Sequence, residues 1–497
     1  MAGLKKTEEK KGEKKEEKKD EKPTPKDNLV ESKHSVKIGG KIIKYTVTTG
    51  TMVMKEEVYE KEGEVEKPRA QIFFIAYTKD SVKDKSKRPV TFSFNGGPGS
   101  SSVWLHIGVL GPRRAVLTDD GEMPPPPFKL TDNQYSILDE TDLVFIDPMS
   151  TGFSRPVEGE RSAEWHTFSK DIASVGDFIR LYTTRYNRWL SPKFLAGESY
   201  GTTRSAGLSG YLQNRHGMLL NGLILISAVL DFATIDFNLN NDLPYILFLP
   251  AYAATAWYHG KLNFKAPLET VIKEAGEFAM GEYASALLKG ASLTPEERAN
   301  IVEKLSRYTG ISQDFIERSN LRILDRHYFK ELLRERGKTI GRLDSRYTGI
   351  DRSGVTESYE YDPLFAQVSG PYTAAFNDYI RTELKFETDQ PYEILSDKVW
   401  MNWSYEYFQN QYVNVAETLR QSMTFNKYLK IFVANGYFDL GTPYFATEYT
   451  FDHLGLDESL RGNIRMAYYN AGHMMYVHMP SLKEMKKDLT KFIKDAS

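Results

Sequence analysis

From His34 onward β-branched and aromatic residues alternate with polar ones, through Ile42-Ile43-Lys44-Tyr45-Thr46-Val47 and then Gln71 to Tyr77, a period-two pattern that predicts opening strands. Shorter, mainly apolar runs follow at Val90–Phe94, Leu143–Ile146, Phe194–Ala196, Leu223–Ile226 and Ile431–Ala434, each stopping at Gly, Asp, Asn or Ser. Runs of that length with no polar face suit a central sheet covered on both sides. Between them, Asp171–Tyr186 and Thr203–Gln213 repeat apolar residues at three and four, the spacing of an amphipathic helix. Strand followed by helix, repeated, predicts an α/β fold with a mostly parallel central sheet. Residues 236–395 break the rhythm: helical patterns at Leu268–Leu288, Thr294–Tyr308 and Leu324–Glu335 come without convincing strands. This segment reads as a mainly helical cap inserted into a core made of 29–235 and 396–497, which the final helix Ser481–Ile493 closes.

Composition narrows the picture. The 497 residues leave one domain or two open, and 40% hydrophobic content supplies a large core without any stretch near the roughly 20 apolar residues of a membrane span. Sixty-five Lys and Arg against 67 Asp and Glu give a charge of −2, so no global field favours nucleic acid. With no cysteine there is no disulfide, no thiolate nucleophile and no thiolate-bound metal. Residues 1–28 hold ten Lys against eight Asp and Glu and almost nothing apolar, which predicts a disordered charged tail rather than a polybasic docking arm. The chain opens on charge instead of an apolar leader, so as written it reads as cytoplasmic, and as periplasmic or secreted if a leader was removed. Pro124–Pro127 reads as a stiff loop or a polyproline ligand. Oligomeric state stays open.

The chemistry concentrates in four places. Gly197-Glu198-Ser199-Tyr200-Gly201 lies between an apolar strand and a helix, the context in which G-x-S-x-G lifts a nucleophilic serine out of a sheet. A serine needs a base, and the base needs an orienting carboxylate. Asp439 follows the strand Ile431–Ala434 in Asn435-Gly436-Tyr437-Phe438-Asp439, and His473 follows Ile464–Tyr469 in Asn470-Ala471-Gly472-His473. Among nine histidines His473 fits both the order and the strand-end location, with His478 its nearest competitor. Backbone donors for an oxyanion would be the Tyr200 amide and the glycine loop Phe94-Asn95-Gly96-Gly97-Pro98-Gly99-Ser100-Ser101. No H-E-x-x-H unit and no Gly-Lys-Ser/Thr after the loop are present, so a zinc peptidase and a phosphate-binding loop both lack their basic part.

Together, Asn95-Gly96-Gly97-Pro98-Gly99-Ser100-Ser101-Ser102, Asp147-Pro148 with Thr151-Gly152-Phe153-Ser154, the Ser199 pentapeptide, Gly436–Asp439 and Gly472-His473-Met474 resemble the serine carboxypeptidases. The longer stretches Phe94–Leu105 and Asn240–Leu262 resemble the bacterial branch of that family. The resemblance implies an α/β-hydrolase fold, a Ser199, Asp439 and His473 triad, and an oxyanion hole from the Gly97 and Tyr200 amides. It further implies that Asn95, the Gly96 amide and Glu198 bind the terminal carboxylate of a peptide substrate, with no metal or organic cofactor. A protonated Glu198 can donate to a carboxylate, whereas an ionised one repels it, so low pH should favour binding.

Three positions depart from the family pattern: Ser93 stands where Trp is usual, Val109 where Glu is usual, and Ser100 where Cys is usual. The first two remove members of the carboxylate-binding network. Arg113 or Arg114 is the proposed replacement cation, against the alternative of a surface or interdomain salt bridge. The expectation is a serine-type carboxypeptidase working through an acyl-enzyme. An esterase, amidase or acyltransferase on the same scaffold, or a non-catalytic binding protein, is the alternative.

Overall fold

A computed structural model describes residues 25–60 and 63–497. The charged tail expected over residues 1–28 lies outside the described residues up to position 24. Its last positions are held differently from the expectation: Asp27 accepts from the Val53 amide at 2.8 Å and pairs with Arg185 at 2.5 Å.

Strands β1 (Asn28–Ile38), β2 (Lys41–Glu60) and β3 (Gly63–Lys79) form an antiparallel meander along one side of the sheet. The parallel part follows with β4 (Val90–Phe94), β5 (Asp142–Ile146), β6 (Lys193–Glu198), β7 (Gly222–Ile226), β8 (Lys430–Gly436) and β9 (Ile464–Tyr469). Their spatial order is β1-β2-β3-β5-β4-β6-β7-β8-β9, with every neighbour from β5 to β9 parallel.

The apolar runs are strands because each has two faces to bury. On β7, Leu223 and Leu225 enter one core while Ile224 and Ile226 enter the other. Ile431 and Val433 against Phe432 and Ala434 repeat the division on β8. Helices α1 (Phe168–Arg185) and α2 (Tyr200–His216) cover one face with Ile172, Val175, Phe178, Leu208 and Leu212. Thr167 caps the first of these, accepting from the Lys170 amide.

The insertion builds a third core of its own. Helices α3 (Leu243–Tyr258), α4 (Leu268–Phe278) and α5 (Pro295–Thr309) gather Phe248, Tyr252, Val271, Phe278, Ile301 and Leu305, and Leu440 and Tyr444 join them from beyond β8. The helix expected at Leu268–Leu288 passes through a wider turn at Ala279–Tyr283 before resuming at Ala284–Lys289. One boundary differs from the sequence reading. Helix α6 (Pro363–Thr382), assigned by sequence to the cap, packs Leu364, Val368, Tyr372, Phe376 and Tyr379 into the core beneath the sheet, as does the last helix α7 (Met479–Ala496) with Leu482, Met485 and Leu489.

Candidate active site

The candidate residues sit where parallel strands end, at the carboxyl edge of the sheet. β6 runs into Ser199, whose backbone (φ 58°, ψ −130°) lies in a region that L-residues rarely occupy. The turn is tight enough to demand glycine on both sides. A Cβ at Gly197 would fall 2.1 Å from the Gly201 carbonyl oxygen, and one at Gly201 would touch the Phe94 carbonyl oxygen at 3.0 Å. The Ser199 amide donates to the Ile226 carbonyl at 3.0 Å, locking the turn to β7 and leaving the side chain half-exposed at the start of α2.

The glycine loop after β4 lies directly against that turn. A Cβ at Gly96 would stand 2.5 Å from the Tyr200 nitrogen, so Gly96, Gly97 and the Tyr200 amide occupy one small volume. Gly97 has φ +102°, a conformation open to glycine. Arg204 ties the two segments together from beneath: its guanidinium donates to the Asn95 carbonyl at 2.6 Å and to Asp171 at 2.8 Å, and the Tyr200 hydroxyl donates to the same carboxylate.

Asp439 and His473 meet across the ends of β8 and β9. Nδ1 of His473 and Oδ2 of Asp439 are 2.8 Å apart, and Asp439 also accepts from the Gly441 and Thr442 amides and from the Thr442 hydroxyl. The loops can approach because Gly436 faces Gly472, where a Cβ would lie 2.3 Å from the carbonyl oxygen. Burial lowers the His473 pKa, but the adjacent Asp439 carboxylate outweighs it and the net displacement is upward. His478, the competitor, is bonded instead to Ser481 at the start of α7.

Glu198 is buried beside Ser199. Burial pushes its carboxyl up to about 7 against the hydrogen bonds and the His473 charge that oppose the shift. Asn95 Nδ2 donates to Oε2 at 2.5 Å, and the Tyr476 hydroxyl donates to both oxygens, at 2.8 and 3.1 Å. Tyr476 was not singled out by sequence. It stands three residues after His473, but nothing local indicates that a phenol there reaches a glutamate 278 positions away. The turn His106–Leu110 bears Val109 into the core and presents Gly108 to the phenols of Tyr476 and Tyr372, where a Cβ would come within 2.6 and 2.8 Å. Tyr476 therefore supplies Glu198 with a donor in a chain whose position 109 is apolar.

The arginines divide. Arg113 is engaged by Asp132 at 2.5 Å and Glu383 at 2.6 Å, which is the salt-bridge alternative and not a free cation for substrate. Arg114 donates to the Ala115 carbonyl and shares Tyr372 as a neighbour with Glu198. Among the described residues no cluster of three His, Asp or Glu side chains can hold a metal, and no helix is long and apolar enough to cross a membrane.

A mostly parallel sheet flanked by helices, with a serine turn, an acid and a histidine after the ends of β6, β8 and β9, is an α/β-hydrolase fold. The chain belongs to the serine carboxypeptidase family, whose sequence profile matches residues 62–486. Pheromone-processing carboxypeptidase KEX1 of Saccharomyces cerevisiae is 32% identical over 148 residues, 28% of this chain and 19% of the yeast protein. Serine carboxypeptidase-like 45 of Arabidopsis thaliana is 27% identical over 180 residues, 35% of this chain and 36% of that protein. These matches thus span about a fifth to a third of the relatives' own lengths. The crystal structure of KEX1(DELTA)P, a prohormone-processing carboxypeptidase from S. cerevisiae, superposes with a TM-score of 0.56 at 17% identity, covering 91% of this chain and 92% of that one.

Proposed function

We propose that the protein is a serine-type carboxypeptidase that removes the last residue of a peptide through an acyl-enzyme on Ser199. The observation that carries this reading is Glu198, a carboxyl buried one residue from the nucleophile with Asn95 and Tyr476 on its oxygens, where burial pushes it up to about 7. Hydrolysis of an ester or amide has no need of a protonated acid at that point. Recognition of a terminal carboxylate does: a neutral carboxyl donates a hydrogen bond where an ionised one would repel. Asn95 and Tyr476 hold its oxygens, so its own proton is left to face the substrate, alongside the second N–H of Asn95 and the Gly96 amide.

His473 takes the Ser199 proton as the hydroxyl attacks the carbonyl, while Asp439 fixes the imidazole tautomer and stabilises the imidazolium. The oxyanion settles on the Gly97 and Tyr200 amides at the positive end of α2. His473 then protonates the leaving amine, and water admitted in its place releases the shortened peptide. The similarity to a relative named as a carboxypeptidase supports the same reading.

A blocked dipeptide offered as free acid and as carboxyl amide, to wild type and to Ser199→Ala, tests it by mass spectrometry from acid to neutral pH. Ser199-dependent release from the acid, favoured over the amide at low pH, is the expected result. Preference for the amide, or ester hydrolysis alone, would overturn it.

A further inference from the structure

The segment Gly341–Arg346 leaves the cap and threads between the two loops that carry the acid and the histidine. Leu440 donates to the Arg342 carbonyl at 3.0 Å, His473 to the Leu343 carbonyl at 2.6 Å, and Ser345 to the Phe438 carbonyl at 3.0 Å. Gly472 donates to the Asp344 carboxylate at 2.8 Å. From the other side Asp362 accepts the Arg342 and Leu343 amides at 2.8 and 3.1 Å. A backbone tied this way to both catalytic loops gives each side chain a fixed origin relative to the triad.

Most charges on and around this segment are matched. Asp344 pairs with Arg346, and Arg322 pairs with Asp242. Arg342 is the exception: it is exposed, and among the described residues its guanidinium makes no ion pair and no side-chain hydrogen bond. The guanidinium lies over Gly441, where a Cβ would be 3.5 Å from Cζ, and Gly441 is the residue whose amide holds Asp439. Asp439 already has four donors, both Asp362 oxygens and one Asp325 oxygen accept backbone amides, and these carboxylates temper the guanidinium's charge without pairing with it directly. The positive field of Arg342 reaches the His473 ring, where it opposes the imidazolium that catalysis must form. A guanidinium with no direct ion-pair partner gains one once a carboxylate arrives with the substrate.

We propose that Arg342 is a specificity residue that selects peptides bearing an acidic side chain next to the scissile bond. The assignment rests on the carboxypeptidase reading above. A substrate Asp or Glu would pair with the guanidinium and at the same time cancel its opposition to the imidazolium, so binding and turnover both gain.

The test compares wild type, Arg342→Gln, Arg342→Lys and Arg342→Glu on blocked dipeptide acids that carry Glu, Gln or Lys on the acyl side, and a second set varied in the leaving residue. In wild type kcat/KM for Glu should exceed that for Gln about tenfold or more in one of the two sets, the size of a hydrogen-bonded charge pair. Arg342→Gln should bring that ratio close to one, Arg342→Lys should restore much of it, and Arg342→Glu should turn the preference toward Lys. A structural role alone would lower all peptides together and could not invert the charge order. A flat charge order in wild type overturns the proposal, and so does an equal loss on every free acid, which would place Arg342 on the terminal carboxylate. If wild type turns over none of the peptides, the carboxypeptidase reading fails by itself. Calorimetric binding of the same peptides to Ser199→Ala then decides Arg342: a Glu preference abolished by the added Arg342→Gln change supports it, and equal affinities sink it.

Discussion

Two carboxyl pockets flank the His473 imidazole, and they are built from different materials. Around Asp439 four donors converge, two of them backbone amides fixed by the turn Asp439–Thr442, with the Thr442 hydroxyl and the imidazole completing the set. Around Glu198 there are two donor side chains, an amide and a phenol, and the carboxyl is buried. The Glu198 donors and the His473 charge do not offset desolvation, and the carboxyl rises to about 7. A dense set of donors suits an oriented anion, and a sparse one suits an acid that keeps its proton near neutrality. The two roles proposed for these residues, imidazole orienter and carboxylate receptor, fit that difference in surroundings.

The largest effect should come from unmaking the Asp439 pocket. Asp439→Asn leaves the shape of the turn but presents an amide to Nδ1, so the imidazole is no longer held in the tautomer that accepts the serine proton. Turnover should fall about 10⁴-fold with little change in KM for a free-acid peptide. Steady-state kinetics checks this, and a fall below tenfold would remove Asp439 from the triad.

Glu198→Gln should erase the contrast in the other direction. Burial raises the carboxyl from 4.5 to about 7, so the fold keeps a proton that the unfolded chain has already released between those values. The stability this contributes is complete below about pH 4.5 and is lost as pH rises through 7, with a limit of about 3 kcal/mol. Glutamine cannot ionise. The variant should therefore melt above wild type at pH 8 but not at pH 4. Its kcat/KM on a free-acid peptide should exceed wild type about tenfold at pH 8, where wild type sets two like charges together. Glu198 and His473 sense each other, so the wild-type profile reports macroscopic values of the pair. A wild-type alkaline limb that survives Glu198→Gln would assign that limb to another group.

How far this was visible in advance depended on whether a contact was local. The strands were legible because a run such as Gly222–Ile226, buried on both faces, has no other way to be satisfied. Ser199 was legible because its strained turn needs glycines two residues to either side, which is a pattern inside five positions. Tyr476 and Arg342 were not, since each reaches its neighbour across the ends of separate strands, and periodicity carries no information about which loop faces which. Helix α6 illustrates the same limit: its spacing declares an apolar face, yet only packing reveals that the face meets Val103–Leu110 and not the cap. Arg113 was named for its charge, and its carboxylate partners lie 19 and 270 residues away.

Tyr476→Phe should produce a smaller change than Glu198→Gln. The ring stays against Gly108, and only the hydroxyl that steadies both Glu198 oxygens is lost. KM for a free-acid peptide should rise about three- to tenfold, the range of one buried hydrogen bond. Because that phenol favours the ionised form of Glu198, its loss should also move the alkaline limb to higher pH. An unchanged KM would mean that Asn95 alone positions Glu198.

Thr442→Val should have the smallest effect, and its size tells what the hydroxyl does. The Thr442 oxygen lies 2.8 Å from Asp439 Oδ2 and 3.3 Å from His473 Nδ1. The single Nδ1 proton points to the nearer acceptor, Asp439 at 2.8 Å, so the hydroxyl must give its own hydrogen to that same carboxylate. In this arrangement Thr442 is a strut for Asp439, not a partner of the imidazole, and the two backbone amides share its load. Valine keeps the branched shape and removes one donor out of four, which should cost about two- to threefold in kcat with KM preserved. A loss approaching that of Asp439→Asn would mean that the amides cannot hold the carboxylate unaided, and that the hydroxyl, rather than the turn, sets the orientation of the pair.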